Sequence, residues 1–240
     1  MKKYGYNSGY IGIDRRTTAV GTINYQKRFL ERKSGRMRMA GVDIHRDGLV
    51  LGLLAENLTD DIGDNWADTS GNGYDYSWGG GPVITANSYM KYANLDSTDD
   101  YLDSPSGMNP IGSSAGTAVF VMSSTDQQGL FFTENGGGTY LGAYRVGNKF
   151  YNGGFGSSVS HYHDKVLKNN IYDNFRDGSW HMTEFKNIER NATTGWNIFN
   201  YSGYEIVGKL RAVLLYNKVL TDDEAASNYD YFLGQGYLSE

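Results

Sequence analysis

Between Gly48 and Asn217 the chain repeats one kind of pattern. Short apolar runs of strand length are each closed by a cluster of Gly, Asn, Asp or Ser. LVLGLLAE, TAVFVM, GLFFT, TYLGAY, KFYNGG, WHMTEF, WNIFNY and LRAVLLYN follow one another in this way. Such spacing predicts many short antiparallel strands joined by turns, the arrangement of a sandwich or a barrel. The residue supply agrees. Twenty tyrosines favour strands, and 32 glycines against three prolines favour turns over helix stops. LRAVLLYN is apolar on both of its faces, so it is expected to lie at the centre of a sheet covered on both sides. With 240 residues the β-rich part is long enough for one large domain.

The periodicity changes only at the end, in LTDDEAASNYDYFLGQGYL. Thr221 suits an N-cap, and Glu224 three residues on completes a capping box. Asp222 and Asp223 fall in the first turn, where the helix dipole favours negative charge. Tyr229, Phe232 and Leu233 share a helical face, and Gly234 supplies a stop. One short amphipathic helix over residues 221–233 is therefore expected, packing back on the strand that feeds it.

That strand-to-helix ending resembles the close of laminin-G-like, concanavalin A-like domains. Three further stretches resemble the same family in the same order. WADTSGNGYDYSW (Trp66 to Trp78) is similar to its W-x-D-x-S-G-N-G turn. YANLDSTDDYLDSPS (Tyr92 to Ser106) is similar to its F-D-G-x-D-D-Y segment, and DGSWHMTEF (Asp177 to Phe185) to its D-G-x-W-H strand. Together they cover about residues 47–235. The resemblance implies an all-β fold: a two-sheet antiparallel jelly-roll sandwich, with one short C-terminal helix, used for binding sugars or proteins. It also implies calcium, with Asp68, Asn72, Asp99 and Asp100 at the positions where the family clusters oxygen ligands. One departure weighs against that carry-over. Where the family's last strand usually has an acidic pair, this chain has Leu210-Arg211-Ala212-Val213. The alternative is that Asp68 and Asn72 bond the backbone of their own turn.

Residues 1–46 lie outside this resemblance and carry the opposite charge. They hold eleven Lys/Arg and three acids, a net +8. The rest, residues 47–240, holds eleven basic and 24 acidic residues, a net −13. TTAVGTINYQ reads as a strand and YQKRFLERKSGR as a short helix ended by Gly35, with too little apolar surface to fold alone. The segment is expected to be an extended arm that becomes ordered on a partner. It resembles the leader of structural proteins of tailed bacteriophages. That resemblance implies a multi-copy virion protein, a capsid decoration or fibre module assembled in the bacterial host cytoplasm. Arg15, Arg16, Lys27, Arg28, Arg32 and Arg36 would anchor it to other virion proteins. The opening residues have no apolar run of the secretory kind, and no stretch has the length of a membrane span. Nucleic acid is a poor partner, because the basic residues are scattered among turns beside a domain of net −13.

Chemistry was sought residue by residue. The chain has no cysteine, so neither a disulfide nor a thiolate ligand or nucleophile is available. A retaining glycosidase on this fold needs two carboxylates on one strand face, about 5–5.5 Å apart. No E-x-D-x-x-E run occurs, and Glu134 and Glu184 stand alone. GSSAG (Gly112 to Gly116) precedes a strand instead of following one, the reverse of a hydrolase elbow. HYHD (His161, His163, Asp164) could direct two imidazoles at a metal, but its Gly/Ser-rich setting argues for a solvated loop. His181 follows Trp180 in the family's strand motif and is expected to be a packed core residue. The reading is a non-enzymatic protein that contacts host glycans. A free carbohydrate-binding module is the alternative, and a glycoside hydrolase the third.

Overall fold

The computed structural model describes residues 30–33, 36–39, 43–61, 63, 65–96, 99–105, 108, 115–125, 129–134, 140–144, 149–153, 159–168, 177–189, 195–199 and 206–239. The strands, in chain order, begin with β1 (Leu30–Lys33), β2 (Arg36–Met39), β3 (Leu49–Leu54) and β4 (Ser77–Gly79). There follow β5 (Val83–Ala86), β6 (Lys91–Asp96), β7 (Tyr101–Asp103) and β8 (Ala115–Ser124). Next come β9 (Gly129–Glu134), β10 (Tyr140–Tyr144), β11 (Lys149–Gly153) and β12 (Ser160–His163). The last are β13 (Val166–Lys168), β14 (His181–Glu189), β15 (Trp196–Ile198) and β16 (Val207–Tyr216), and then the helix α1 (Asp222–Gln235).

Every pairing is antiparallel. One sheet has six strands in the order β11-β10-β9-β15-β7-β4. The other has eight: β13-β12-β14-β8-β16-β6-β5, with β3 also on β16. The expected two-sheet sandwich is the observed fold. LRAVLLYN is its central strand, as its apolar faces require. One edge of β16 runs along β8. The other pairs first with β6, from Val207↔Asp96 to Leu210↔Ala93, and then with β3, from Ala212↔Leu54 to Tyr216↔Leu49.

The core lies between the sheets. Phe120 of β8, Phe131 of β9 and Phe185 of β14 pack with ring centroids 4.9 Å apart for Phe120–Phe131 and for Phe131–Phe185. Trp196, Ile198 and Leu102 are buried on the six-stranded side. The opposite face of the eight-stranded sheet is closed by α1. Tyr216 Oη accepts from Asn228 Nδ2 at 3.0 Å, and Lys186 Nζ meets Asp222 Oδ1 at 3.0 Å. That cover explains why β8 and β16 are buried along nearly their whole length.

The helix begins as its sequence predicts. Glu224 N–H donates to Thr221 Oγ1 at 3.3 Å, and Thr221 N–H donates to Glu224 Oε2 at 2.8 Å, a closed capping box. Its end differs. The helix passes Gly234, and Gly236 at φ +84° takes the left-handed position. Gly236 N–H bonds Leu233 O and Tyr237 N–H bonds Phe232 O, the paired bonds of a Schellman motif. Tyr231 and Phe232 turn inward while Leu233 is 49% exposed, so the buried face is Ala225, Asn228, Tyr231 and Phe232. Of the three residues expected on that face, Phe232 is buried, Tyr229 is half-buried against the core and Leu233 is exposed.

The N-terminal segment also departs from expectation. β1 pairs antiparallel with β2, from Leu30↔Met39 to Lys33↔Arg36, so residues 30–33 are strand where a helix over residues 25–36 was expected. Two short strands paired in this way satisfy each other's backbone groups, which a single short helical turn cannot do. TTAVGTINYQ, Arg15, Arg16, Lys27 and Arg28 lie outside the described residues. Arg32 and Arg36 fall on β1 and β2. Residues 43–46 already belong to the sandwich. Ile44 is in its core, and His45 N–H donates to Asn228 Oδ1 at 2.7 Å. No described helix is long and apolar enough to cross a membrane.

Candidate functional site

The residues proposed for oxygen ligands fall in two turns. In the first, Asp68 serves the turn itself. Its Oδ1 accepts from Gly52 N–H and Ser70 N–H, both at 2.8 Å. Its Oδ2 accepts from Ser70 Oγ at 2.7 Å and Tyr74 N–H at 3.1 Å. Asn72 Nδ2 donates to Val50 O at 3.1 Å. The W-x-D-x-S-G-N-G stretch thus stitches its own backbone to β3, and Trp66 Nε1 adds a bond to Leu54 O at 2.9 Å. This is the Asx arrangement that was the alternative to metal binding.

The second turn joins β6 to β7. Asp96, Asp99 and Asp100 bring carboxylate oxygens within 4.8 Å of one another, with Asp96 and Asp99 exposed and Asp100 buried. Asp100 is the tie. Its Oδ1 accepts from Gly81 N–H and its Oδ2 from Asp96 N–H, both at 2.9 Å. The chain after β4 is pressed against this turn. Gly80 has φ +74°, and a Cβ there would lie 2.2 Å from Asp99 O. A Cβ on neighbouring Gly79 would fall 2.0 Å from the ring of Tyr101, so that ring covers the backbone of β4. The turn therefore presents two exposed carboxylates on a backbone held by Asp100, and the half-exposed Tyr101 follows it in β7. Hard oxygens of this kind suit calcium, which takes six to eight of them. Asp96 and Asp99 are the exposed residues here that would contribute, while both oxygens of Asp68 and both oxygens of Asp100 already accept hydrogen bonds.

HYHD is not a loop. Ser160–His163 is strand β12, paired between β13 and β14, and both histidines are buried. The two part company in function. His161 stacks on Phe185 inside the sandwich, with centroids 5.1 Å apart. His163 instead meets His181, ring centroids 4.2 Å apart. His181 is not the packed core residue expected from its motif. It bonds Asp164 through Nδ1 and Asp177 through Nε2. Burial works against a proton on His181, but the hydrogen bonds and charges of Asp164 and Asp177 outweigh it and hold the imidazole above its ordinary value.

Glu184, weighed above as a lone glycosidase carboxylate, is 1% exposed in β14, beside the start of α1. Burial, the largest influence, pushes its carboxyl up to about 7, with Asp222 adding to the rise and Lys186 opposing it. Glu134 is in β9 and Ala115–Gly116 open β8, so GSSAG does lead into a strand.

No family model and no curated protein sequence matches the chain. Solved structures do. The fold is similar to the binding domain of Paraclostridial Mosquitocidal Protein 1, at 14% identity over 78% of this chain and 53% of that one, with a TM-score of 0.52. The botulinum neurotoxin serotype D binding domain is similar at 12% identity, over 77% and 52%, with a TM-score of 0.49. Domain 4 of a GH43 extracellular arabinanase from Geobacillus stearothermophilus, solved in complex with arabinotriose, is similar at 13% identity, over 75% and 98%, with a TM-score of 0.46. The chain spans about half the length of the two toxin domains. The likeness to the mosquitocidal protein is one of fold, a sandwich of the jelly-roll class.

Proposed function

We propose that this chain is a binding module whose ligand is a glycan, held at the β6–β7 turn. The observation that carries this is the placement of its carboxylates. Asp96 and Asp99 are exposed on this turn, where carboxylates accept from sugar hydroxyls, and the half-exposed Tyr101 follows at the start of β7, an aromatic of the kind that packs on a pyranose face. Glu184, in contrast, is sealed away from any polysaccharide. Solved neighbours described as binding domains support the reading only through the shared fold. A glycan array read with the native protein and with Asp99→Ala and Tyr101→Ala tests it. Binding that both variants weaken is expected. Binding untouched by either, or polysaccharide cleavage lost in Glu184→Gln, overturns it.

The setting we propose for the module is a virion, with several copies per particle and residues 1–42 as the anchor. What supports this is the charge division of the sequence, +8 before residue 47 and −13 after it, together with the phage-like leader. A +8 segment is steered to an acidic protein groove, and its docking weakens as salt rises. The test adds full-length protein, and a protein starting at Asp43 so that Ile44 is kept, to particles lacking it. The full-length form is expected to co-sediment and the shortened form not. Equal co-sedimentation would place the anchor in the sandwich.

A further inference from the structure

Three groups of side chains in the described residues bring metal-type ligand atoms together. In the group of His45, Asp47 and Glu224 the cation is already there. Lys218 Nζ lies 2.6 Å from Asp47 Oδ2 and 2.8 Å from Glu224 Oε1. The group of Asp96, Asp99 and Asp100 offers carboxylates alone and belongs to the turn described above. The third group is different in kind.

It is made where the β12–β13 hairpin folds onto β14. His163 closes β12, pairs with Val166 across the turn, and lies opposite Thr183. Asp164 and Lys165 form the two-residue turn with φ +46° and +71°. Two positive φ values mark a tight hairpin turn of the primed type, a conformation that costs a non-glycine residue energy. That turn aims the Asp164 carboxylate back at β14. Its Oδ1 accepts from Met182 N–H at 2.9 Å, and its Oδ2 lies 2.6 Å from His181 Nδ1 and 3.9 Å from His163 Nε2. The far nitrogens of the two rings are also engaged. His181 Nε2 is 3.0 Å from Asp177 Oδ1, and His163 Nδ1 is 3.3 Å from Thr183 Oγ1.

We propose that His163, Asp164 and His181 form a binding site for a divalent transition metal of the zinc class. Two imidazole nitrogens and one carboxylate oxygen converge from a buried wall, and that donor set selects zinc over calcium or magnesium. Metal-bound histidines almost always donate their other N–H to an acceptor, which fixes tautomer and ring orientation. Here Asp177 and Thr183 stand in those two places. The three ligand atoms lie within 4.8 Å of one another. Tetrahedral zinc with bonds of about 2.0–2.2 Å needs them roughly 3.4 Å apart. The Asp164–His181 contact must open and the Asp164–His163 contact must close, each by less than about 1 Å on this geometry. The metal takes the place of the proton between Asp164 and His181, which is released to solvent, and a water completes the fourth position on the exposed side. Its role is structural. In a chain without cysteine it staples the edge hairpin β12–β13 to the interior strand β14 and to the turn at Asp177.

The experiment uses full-length protein freed of metal by chelation and titrated with zinc, by calorimetry and by thermal melting. One zinc per chain and a Tm raised by several degrees are expected. Asp164→Asn keeps a residue that tolerates the left-handed turn, and His181→Gln keeps size and polarity. Each should weaken zinc binding at least tenfold while the circular dichroism spectrum stays native. Asp177→Asn should weaken it less, as a residue outside the ligand set does. His45→Gln should leave it unchanged. No zinc-dependent rise in Tm, zinc binding equal in Asp164→Asn and His181→Gln, or binding abolished by His45→Gln would each overturn the assignment.

Discussion

The guanidinium carbon of Arg211 lies 3.6 Å from the centre of the Trp180 ring. The same guanidinium reaches the turn that follows α1. Arg211 Nη1 donates to Tyr237 O at 2.6 Å and Ser239 O at 2.7 Å, just beyond the helix C-terminus. A cation at that end of a helix is favoured by the dipole and by the carbonyls left over there. The register of β16 against β8 shifts between Leu210 and Ala212, so Arg211 sits at a bulge. The basic residue standing where an acidic pair was expected is thus a clamp on the C-terminal turn. Arg211→Lys keeps the charge but loses the planar fork and the stacking. It should destabilise by about 2–3 kcal/mol, since hydrogen bonds to a buried charge are lost. Chemical denaturation measures this, and an unchanged midpoint would show that the clamp is idle.

Glu184 should make stability fall as pH rises. In the fold its carboxyl holds a proton up to about 7, whereas unfolded it releases it near 4.5. Between those values the folded state binds more protons than the unfolded one, so stability is fully present below about 4.5 and declines towards 7. The loss persists above that and is on the order of 3 kcal/mol. Glu184→Gln has no proton to lose and should remove this part of the decline. Denaturation midpoints of both proteins at pH 5 and pH 8 decide it. Parallel shifts in the two would mean that Glu184 does not titrate in this range.

Thr221→Ala should cost about 1 kcal/mol, the usual price of an N-cap. The capping box is closed on both sides here, and α1 covers the outer face of the central strands, so the loss should be global rather than local. A melt that stays two-state with a lower Tm fits this. An unaltered Tm does not.

Gly80→Ala tests the ligand turn. The added methyl group would need the space of Asp99 O, and φ +74° already disfavours a side chain. The turn must shift, taking Asp99 with it. A stability loss of about 1–3 kcal/mol is expected from the strained backbone, together with weakened glycan binding. Native affinity in a destabilised protein would separate the ligand site from this turn.

How much of this could be read beforehand depended on distance along the chain. The capping box lies within four residues, and it was legible. So was the central position of LRAVLLYN, because burial on two faces leaves no polar alternation. The motif around Trp66 was legible as a turn, though not the four hydrogen bonds that commit Asp68 to it. The pairing of His163 with His181 was not legible. It needs β12 to lie beside β14 in one register, and the glycines and serines before His161 masked the strand. Arg211 showed only as an oddity, because its partners at Tyr237 and Ser239 arrive after a helix whose end was placed two residues early. Strand β1, Leu30–Lys33, was mistaken for part of a helix, since LERK carries residues that also favour helices.

The position of β3 on β16 has a temporal consequence. Residues 49–54 find their partners only at residues 212–216, across nearly the whole domain. Contacts of such long range are slow to form and come late. During synthesis the sheet therefore has an open centre until the ribosome has delivered Tyr216, and the helix that seals its outer face arrives last of all. An anchor of the kind proposed above would be synthesised before the domain behind it closes, so its docking and the folding of the sandwich would compete in time and not only in energy.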